Sequence, residues 1–192
     1  MDMSAVLIDG GYYEKLRLKF NKPDIDLVAF SDEICRPMER FRTYYFDAMP
    51  WTGDPATSQD SERKARKQRY LDGIKMLKRF DVRLGRVQKK EIPCGNGPPH
   101  TEYIQKLVDV LFSVEMVRLA WSGHVRLIVL VAGDSDFVPA VQAAKDAGVL
   151  VRLVHGHSAG LRVHNEMLMA SDERMDIDRD LVDRCLRNRP PA

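Results

Sequence analysis

Gly133-Asp134-Ser135-Asp136-Phe137 follows directly on Arg126-Leu127-Ile128-Val129-Leu130-Val131-Ala132, and this junction decides how the chain is read. The apolar, β-branched run predicts a buried strand, and a glycine followed by two acids predicts the turn at its carboxyl end. The amino terminus repeats the arrangement, with Ala5-Val6-Leu7-Ile8 running into Asp9-Gly10-Gly11. Ligand sites of open α/β sheets form outside the carboxyl ends of the strands. Acids from two neighbouring strand ends would therefore share one negative pocket. Two carboxylates about 4 Å apart repel by roughly 4 kcal/mol at an effective dielectric near 20. A proton or a cation must relieve that repulsion, and a hard cation taking oxygen ligands is the natural occupant.

Outward from this junction, apolar runs alternate with helical spacing. Strands are expected over residues 3–8, 43–46, 82–87, 127–132 and 149–154, the third being polar enough for a place near an edge. Helices are expected over 13–35 (interrupted near Asn21-Lys22-Pro23), 58–79, 101–121, 137–147 and 159–170. Leu71, Ile74, Leu77 and Phe80 mark the apolar face of the second of these, and Gly148 closes the fourth. Residues 92–100, rich in Pro and Gly, read as a loop. Such alternation predicts an α/β, Rossmann-like three-layer fold with a mostly parallel central sheet of about five strands. The polar residues beyond 178 are expected to fray.

The chain has 192 residues, 44% hydrophobic and 30% charged, with a formal net charge of +2. One α/β domain fits this length, and nucleic-acid binding would have to rest on a local basic patch. No apolar stretch approaches the ~20 residues of a spanning helix. Asp2 and Asp9 interrupt any signal-peptide pattern. Cys35, Cys94 and Cys185 are odd in number and lack CxxC spacing, so a reduced cytoplasmic protein without a zinc site is expected.

Each acid has a structural reading beside its chemical one. Asp9 either caps the helix that follows or binds a ligand. Ser135 or Asp136 as an N-cap would account for one acid of the turn but not for both Asp134 and Asp136. Asp109 falls with Glu102, Gln105, Lys106 and Ser113 along one stripe of the expected helix 101–121, which reads as a solvated face. A Lys106–Asp109 pair there would contribute about 0.2–0.5 kcal/mol. Asp47 closes the second strand as a loop cap or as a supporting acid. Among the bases, residues 62–70 are densest. Arg63, Lys67 and Tyr70 share one face, and Arg66 and Arg69 share another; these are solvated surface or phosphate contacts. Arg86, Lys89 and Lys90 would form a second rim. Tyr12, Tyr13 and Trp51 are candidates for stacking on unpaired bases, with core packing the rival for Tyr13. His155-Gly156-His157 looks like a metal pair without a third ligand, unless His164 supplies it. No Ser/His/Asp constellation and no phosphate loop of the GxxxxGK[ST] type is present.

Five motifs together resemble the NYN domain, a branch of the PIN-like nuclease superfamily. They are Val6-Leu7-Ile8-Asp9-Gly10-Gly11-Tyr12, Tyr44-Tyr45-Phe46-Asp47, Lys106-Leu107-Val108-Asp109-Val110, Gly133-Asp134-Ser135-Asp136-Phe137, and Leu161 with Leu168-Met169-Ala170-Ser171-Asp172. The resemblance spans residues 5–178 and implies a PIN-like domain over 1–178 with a polar tail over 179–192. The chain departs from it in carrying Tyr12 or Tyr13 near the place of an Asn in the first motif. It also carries Ser171-Asp172-Glu173 where an Ala-Asp pair precedes an aromatic. The resemblance implies that the strands bearing Asp9 and Asp134 are neighbours and that Asp109 points into the same crevice. It further implies a metal-dependent ribonuclease, with Asp9, Asp109 and Asp134 as ligands of Mg2+ or Mn2+ and Asp136 as an auxiliary. Substrate contacts would come from Ser135, Tyr12, Lys106, Arg63, Arg66 and Lys67. The expected partner is RNA, single-stranded or structured, with no membrane and with a homodimer left open. Two rivals stay open: a silent RNA-binding or scaffold domain, and a haloacid-dehalogenase-like phosphatase. The phosphatase needs Asp-x-Asp where this chain has Asp9-Gly10-Gly11.

Overall fold

A computed structural model describes residues 2–94, 97–157 and 161–187. In chain order the elements are β1 (Met3–Asp9), α1 (Gly10–Lys19), α2 (Leu27–Cys35), β2 (Glu39–Ala48), α3 (Ser58–Lys75), β3 (Phe80–Cys94) and β4 (Gly97–Lys106). They continue with α4 (Val108–Ala120), β5 (Leu127–Val131), α5 (Val138–Asp146), β6 (Leu150–His155), α6 (Asn165–Ala170), β7 (Glu173–Asp176) and α7 (Arg179–Arg184). One seven-stranded sheet has the order β4-β3-β2-β1-β5-β6-β7, parallel throughout except for the β3–β4 hairpin.

β1 is central because it can be buried on both faces: Ala5, Val6, Leu7 and Ile8 are all fully enclosed. It pairs with β2 on one side and β5 on the other, with Ile8 opposite Tyr45 and Val131. The strand order reverses at β1, which makes the β1–β5 junction the switch point. Period-two alternation along β2 sorts the aromatic core between the two layers of helices. Tyr45 lies 6.2 Å from Tyr13 of α1 and 6.3 Å from Tyr70 of α3, and Tyr13 meets Phe30 of α2. The next residue, Phe46, faces the other way, 4.8 Å from Phe112 of α4. Phe112 in turn stacks at 4.2 Å on Phe137, the last residue of the acidic turn. Thus α1–α3 cover one face, and α4 and α5 cover the other.

Four expectations are corrected. Of the expected loop 92–100, residues 92–94 and 97–100 are strand while 95–96 lie outside the described residues, and 101–106 are not helical: β3 and β4 pair in a long antiparallel hairpin, with Arg86 opposite Lys106 and Lys90 opposite Glu102. The apolar positions of 101–107 fit either period over so short a span. Pro98 and Pro99 are tolerated because β4 is an edge strand. The sheet has seven strands rather than about five, the seventh being β7, whose Glu-Arg-Met-Asp sequence carries no apolar alternation. Of the tail expected to fray, the described residues 179–187 pack: Leu181, Val182 and Cys185 are buried, and Ile25 bridges to Leu186, while 188–192 lie outside the described residues. Of the helix expected over 159–170, residues 159–160 lie outside the described residues, and among those described the helix covers Asn165–Ala170.

A buried arginine ties the β6–β7 edge to the layer beneath. Arg152 donates through Nη1 to the carbonyls of Ile34 and Arg36, each at 2.8 Å, and through Nε to Glu173 at 2.7 Å. It thereby satisfies orphan carbonyls at the end of α2. At the other end of the core, Phe112 holds α4 against both β2 and the acidic turn. Phe112→Ala is expected to cost about 3–5 kcal/mol, read as a lower urea midpoint at unchanged m-value.

Candidate active site at the strand-end crevice

Asp9 ends β1 and is the N-cap of α1, accepting from the Gly11 N–H at 2.8 Å. Gly10 follows because nothing larger fits: a Cβ there would lie 2.7 Å from Asp47 Oδ2 and 2.8 Å from the Phe46 carbonyl. Asp134 has the same role beyond the end of β5. It caps a 3-10 turn, Ser135–Phe137, by accepting from the Asp136 N–H at 3.0 Å. The cap of the acidic turn is therefore Asp134 itself, not Ser135 or Asp136. Capping and ligand binding are compatible, since a carboxylate offers about four lone-pair sites and one or two backbone donors leave the rest free.

The hairpin changes the place of Asp109. The stripe of Glu102, Gln105, Lys106 and Asp109 does not exist, because α4 begins only at Val108, after Leu107 turns left-handed at φ 72°. Asp109 therefore stands in the first turn of a helix, where the dipole favours an anion. It lines, with Asp9 and Asp134, a crevice of about 490 Å³ that also includes Gly11, Tyr12, Lys15, Val108, Gly133, Arg162 and His164.

Charge in the crevice is shared. The Asp9 pKa is raised by burial, opposed by hydrogen bonds from the Gly11 and Tyr12 backbone, and raised further by Asp109 and Asp47. Asp109 is raised by burial and then by Asp134 and Asp136. The three carboxylates that line the crevice do not all lie within 4.8 Å of one another. A hard cation held there would need water or substrate oxygens to complete its shell. The donor set is entirely carboxylate oxygen, which fits Mg2+ or Mn2+ and not a soft metal.

The other expected contact residues are distributed more widely. Tyr12 is buried: its hydroxyl donates to the Leu161 carbonyl at 2.9 Å and accepts from the Gly156 N–H at 3.2 Å. Its ring leaves no room for a Cβ on Gly133, the approach being 2.7 Å. Tyr12 thus forms the crevice wall and is not free to stack on a base. Ser135 is half-buried within the turn. Lys106 is exposed at the end of β4, three residues before Asp109 and outside the crevice lining. Arg63, Arg66 and Lys67 line a neighbouring cleft of about 390 Å³ with Glu14, Arg17, Tyr45 and Tyr70. Lys67 is bound to buried Asp47 at 2.5 Å, and Arg63 donates to Asp60 and the Trp51 carbonyl, each at 2.7 Å. Arg66 has no such ion pair among the described residues. Asp47 is consequently a supporting acid, paired with Lys67 while adding negative charge near Asp9. Asp172 of the late motif serves the sheet: its Oδ2 accepts from the Val151 N–H at 2.9 Å.

Sequence reasoning missed Lys15 and Arg162 and considered His164 only as a partner of the His155–His157 pair. All three sit on a helix or loop with no periodic signal. All three line the same crevice as the acids. A second cavity of about 700 Å³, lined by His155, His157, Arg162 and His164 among others, adjoins the first through Arg162 and His164.

The family model described as the NYN domain matches residues 4–171. No curated protein is significantly similar to the chain. Among solved structures, the chain resembles a protein of unknown function from Vibrio parahaemolyticus, at 18% identity and a TM-score of 0.57. That likeness covers 93% of this chain and 94% of the other, and at such identity it speaks for the fold alone.

Because its folded-state pKa is raised above the ordinary 3.8, Asp109 holds its proton more tightly in the folded chain than in the unfolded one. Its share of stability is present at low pH and lost as the pH rises through that raised value. Asp109→Asn is therefore expected to raise the melting temperature of the metal-free protein at pH 7. The difference from wild type should close as the pH falls below 3.8.

Proposed function

The chain belongs to the NYN domain family, a PIN-like nuclease fold, and from that premise we propose that it is a Mg2+- or Mn2+-dependent ribonuclease acting at the strand-end crevice. The observation that carries the reading is the meeting of Asp9, Asp109 and Asp134, from three separate elements, in one crevice at the switch point. Burial and neighbouring carboxylates raise the pKa values of Asp9 and Asp109, which disfavours their charged forms unless a cation is present.

Asp9, Asp109 and Asp134 would hold the ion, and Asp136 would add charge from the turn. When bound, such an ion supplies Lewis acidity and a water acidified for attack on phosphorus. The chain's own groups do the rest. Lys15 and Arg162 line the crevice with the acids and would fix non-bridging phosphate oxygens, the guanidinium through paired donors. Ser135 would donate a hydrogen bond to one of those oxygens, and His164 a second from the opposite rim. Tyr12 keeps the wall rigid by anchoring the first turn of α1 to Gly156 and Leu161.

For the rest of an RNA strand, the cleft of Tyr45, Tyr70 and Arg66 offers one path. The hairpin offers another, where Trp51 and Tyr103 meet at 5.3 Å and the Lys89 ammonium lies 5.9 Å over the Trp51 ring. A stacking platform beside cations is how single strands are held without sequence preference. A phosphatase of the haloacid-dehalogenase type is disfavoured, since Gly11 stands where its second acid would be and its amide is engaged by Asp9.

Labelled single-stranded RNA incubated with Mg2+ or Mn2+ tests the proposal. Wild type should cleave, EDTA should abolish cleavage, and Asp134→Asn or Asp9→Asn should lower the rate on the order of 100-fold or more. Asn retains capping ability, so both variants are expected to stay folded. RNA retained without cleavage by wild type and variants alike would establish the silent binding domain instead. Arg66→Gln is expected to weaken RNA binding and to reduce the slope of log K against log salt by about 0.7, the loss of one phosphate contact to a single strand.

A further inference from the structure

His155 ends β6 and Asp176 ends β7, and the two are direct partners in the parallel register. His157 lies two residues beyond His155. The structure brings all three to one point. His157 Nε2 is 2.7 Å from Asp176 Oδ1, and His155 Nε2 is 3.4 Å from the same oxygen. The rings stand edge to face with centroids 5.0 Å apart. Among the described residues this is the one group of three or more His, Cys, Asp or Glu whose ligand atoms all lie within 4.8 Å of one another.

We infer that His155, His157 and Asp176 form a site for a divalent transition metal, separate from the carboxylate crevice. In a tetrahedral site with bonds of about 2.0–2.1 Å, ligand atoms sit roughly 3.3 Å apart. The His155–Asp176 separation already has that value. His157 would retreat by about 0.6 Å, which its 73% exposed side chain allows. A simple ion pair accounts for His157 and Asp176 but not for a second imidazole nitrogen aimed at the same oxygen. His155 is enclosed, so its ring is held in place with Nε2 turned toward Asp176.

Two imidazoles and one carboxylate select Zn2+, Co2+, Ni2+ or Fe2+ over Mg2+. Three protein ligands leave a fourth position open toward the adjoining cavity of about 700 Å³, where His164 and Arg162 lie. A water or an oxyanion would complete the set there. Sequence spacing could not supply the third ligand, because Asp176 belongs to a strand that the sequence does not announce.

Titration of the metal-free full chain with Co2+, followed by visible absorption and by competition with Zn2+, tests the site. One equivalent per chain should bind, yield to Zn2+, and resist millimolar Mg2+. His157→Ala and Asp176→Asn should each weaken binding at least about tenfold, no less than the loss of an outer partner. Asp134→Asn should leave it intact, which separates this site from the crevice whatever the RNA assay shows. Both substituted positions are exposed, and circular dichroism verifies that the variants fold. Absence of stoichiometric Co2+ binding by wild type, or undiminished binding by either folded variant, overturns the assignment.

Discussion

Parallel pairing of β1 with β5 is the constraint from which the site follows. With Ile8 opposite Val131, the two strands end level with each other, and the residue after each buried run must turn away from the sheet. An acid at that place caps the next helical turn and faces the crevice at once. The same carboxylate therefore contributes to folding and to ligand capacity. Such placement is costly without a cation, because burial and neighbouring charge both oppose ionisation of Asp9 and Asp109. The core opposes that repulsion through Phe46, Phe112 and Phe137, stacked directly beneath, which hold β2, α4 and the acidic turn together.

The parallel heart of the sheet was legible in the sequence because its strands are continuous apolar runs bounded by acids or glycine. Residues 3–8 and 127–132 could be read in no other way. The hairpin was not legible. Its two strands are largely polar, its three prolines (Pro93, Pro98 and Pro99) look like loop, and the few apolar positions satisfy helical spacing as well as alternation. That misreading had a chemical consequence, for it put Asp109 on a solvated stripe. Only the late start of α4 at Val108 turns the residue into the crevice. Asp9 and Asp134 were legible as strand-end acids, and Asp136 as a contributor to the same field.

The residues around the acids show where sequence reasoning stops. Lys15, Arg162 and His164 reach the crevice from α1 and from the segment before α6, and no local pattern marks them. Tyr12 illustrates the reverse case. As an aromatic just past a strand it looked available to a base, yet its hydroxyl is needed by Leu161 and Gly156. The bases of α3 divide in the same way, Lys67 being held by Asp47 while Arg66 is left to solvent.

Both borders of the sheet are unattractive templates for another strand. At one border, Pro98 and Pro99 remove two backbone donors from β4, and charged or polar side chains crowd its neighbours. At the other, β7 is four residues long and three of them are charged. Short, charged or proline-bearing borders are the devices by which sheets avoid edge-to-edge pairing. A seven-stranded sheet in this chain therefore ends where it does by composition as well as by length. Addition of an eighth strand, from an unfolding neighbour or a nascent copy, meets a missing donor on one side and a short, charged strand on the other. Resistance to aggregation is thus written at the margins, in the same two polar strands that the sequence made hardest to see.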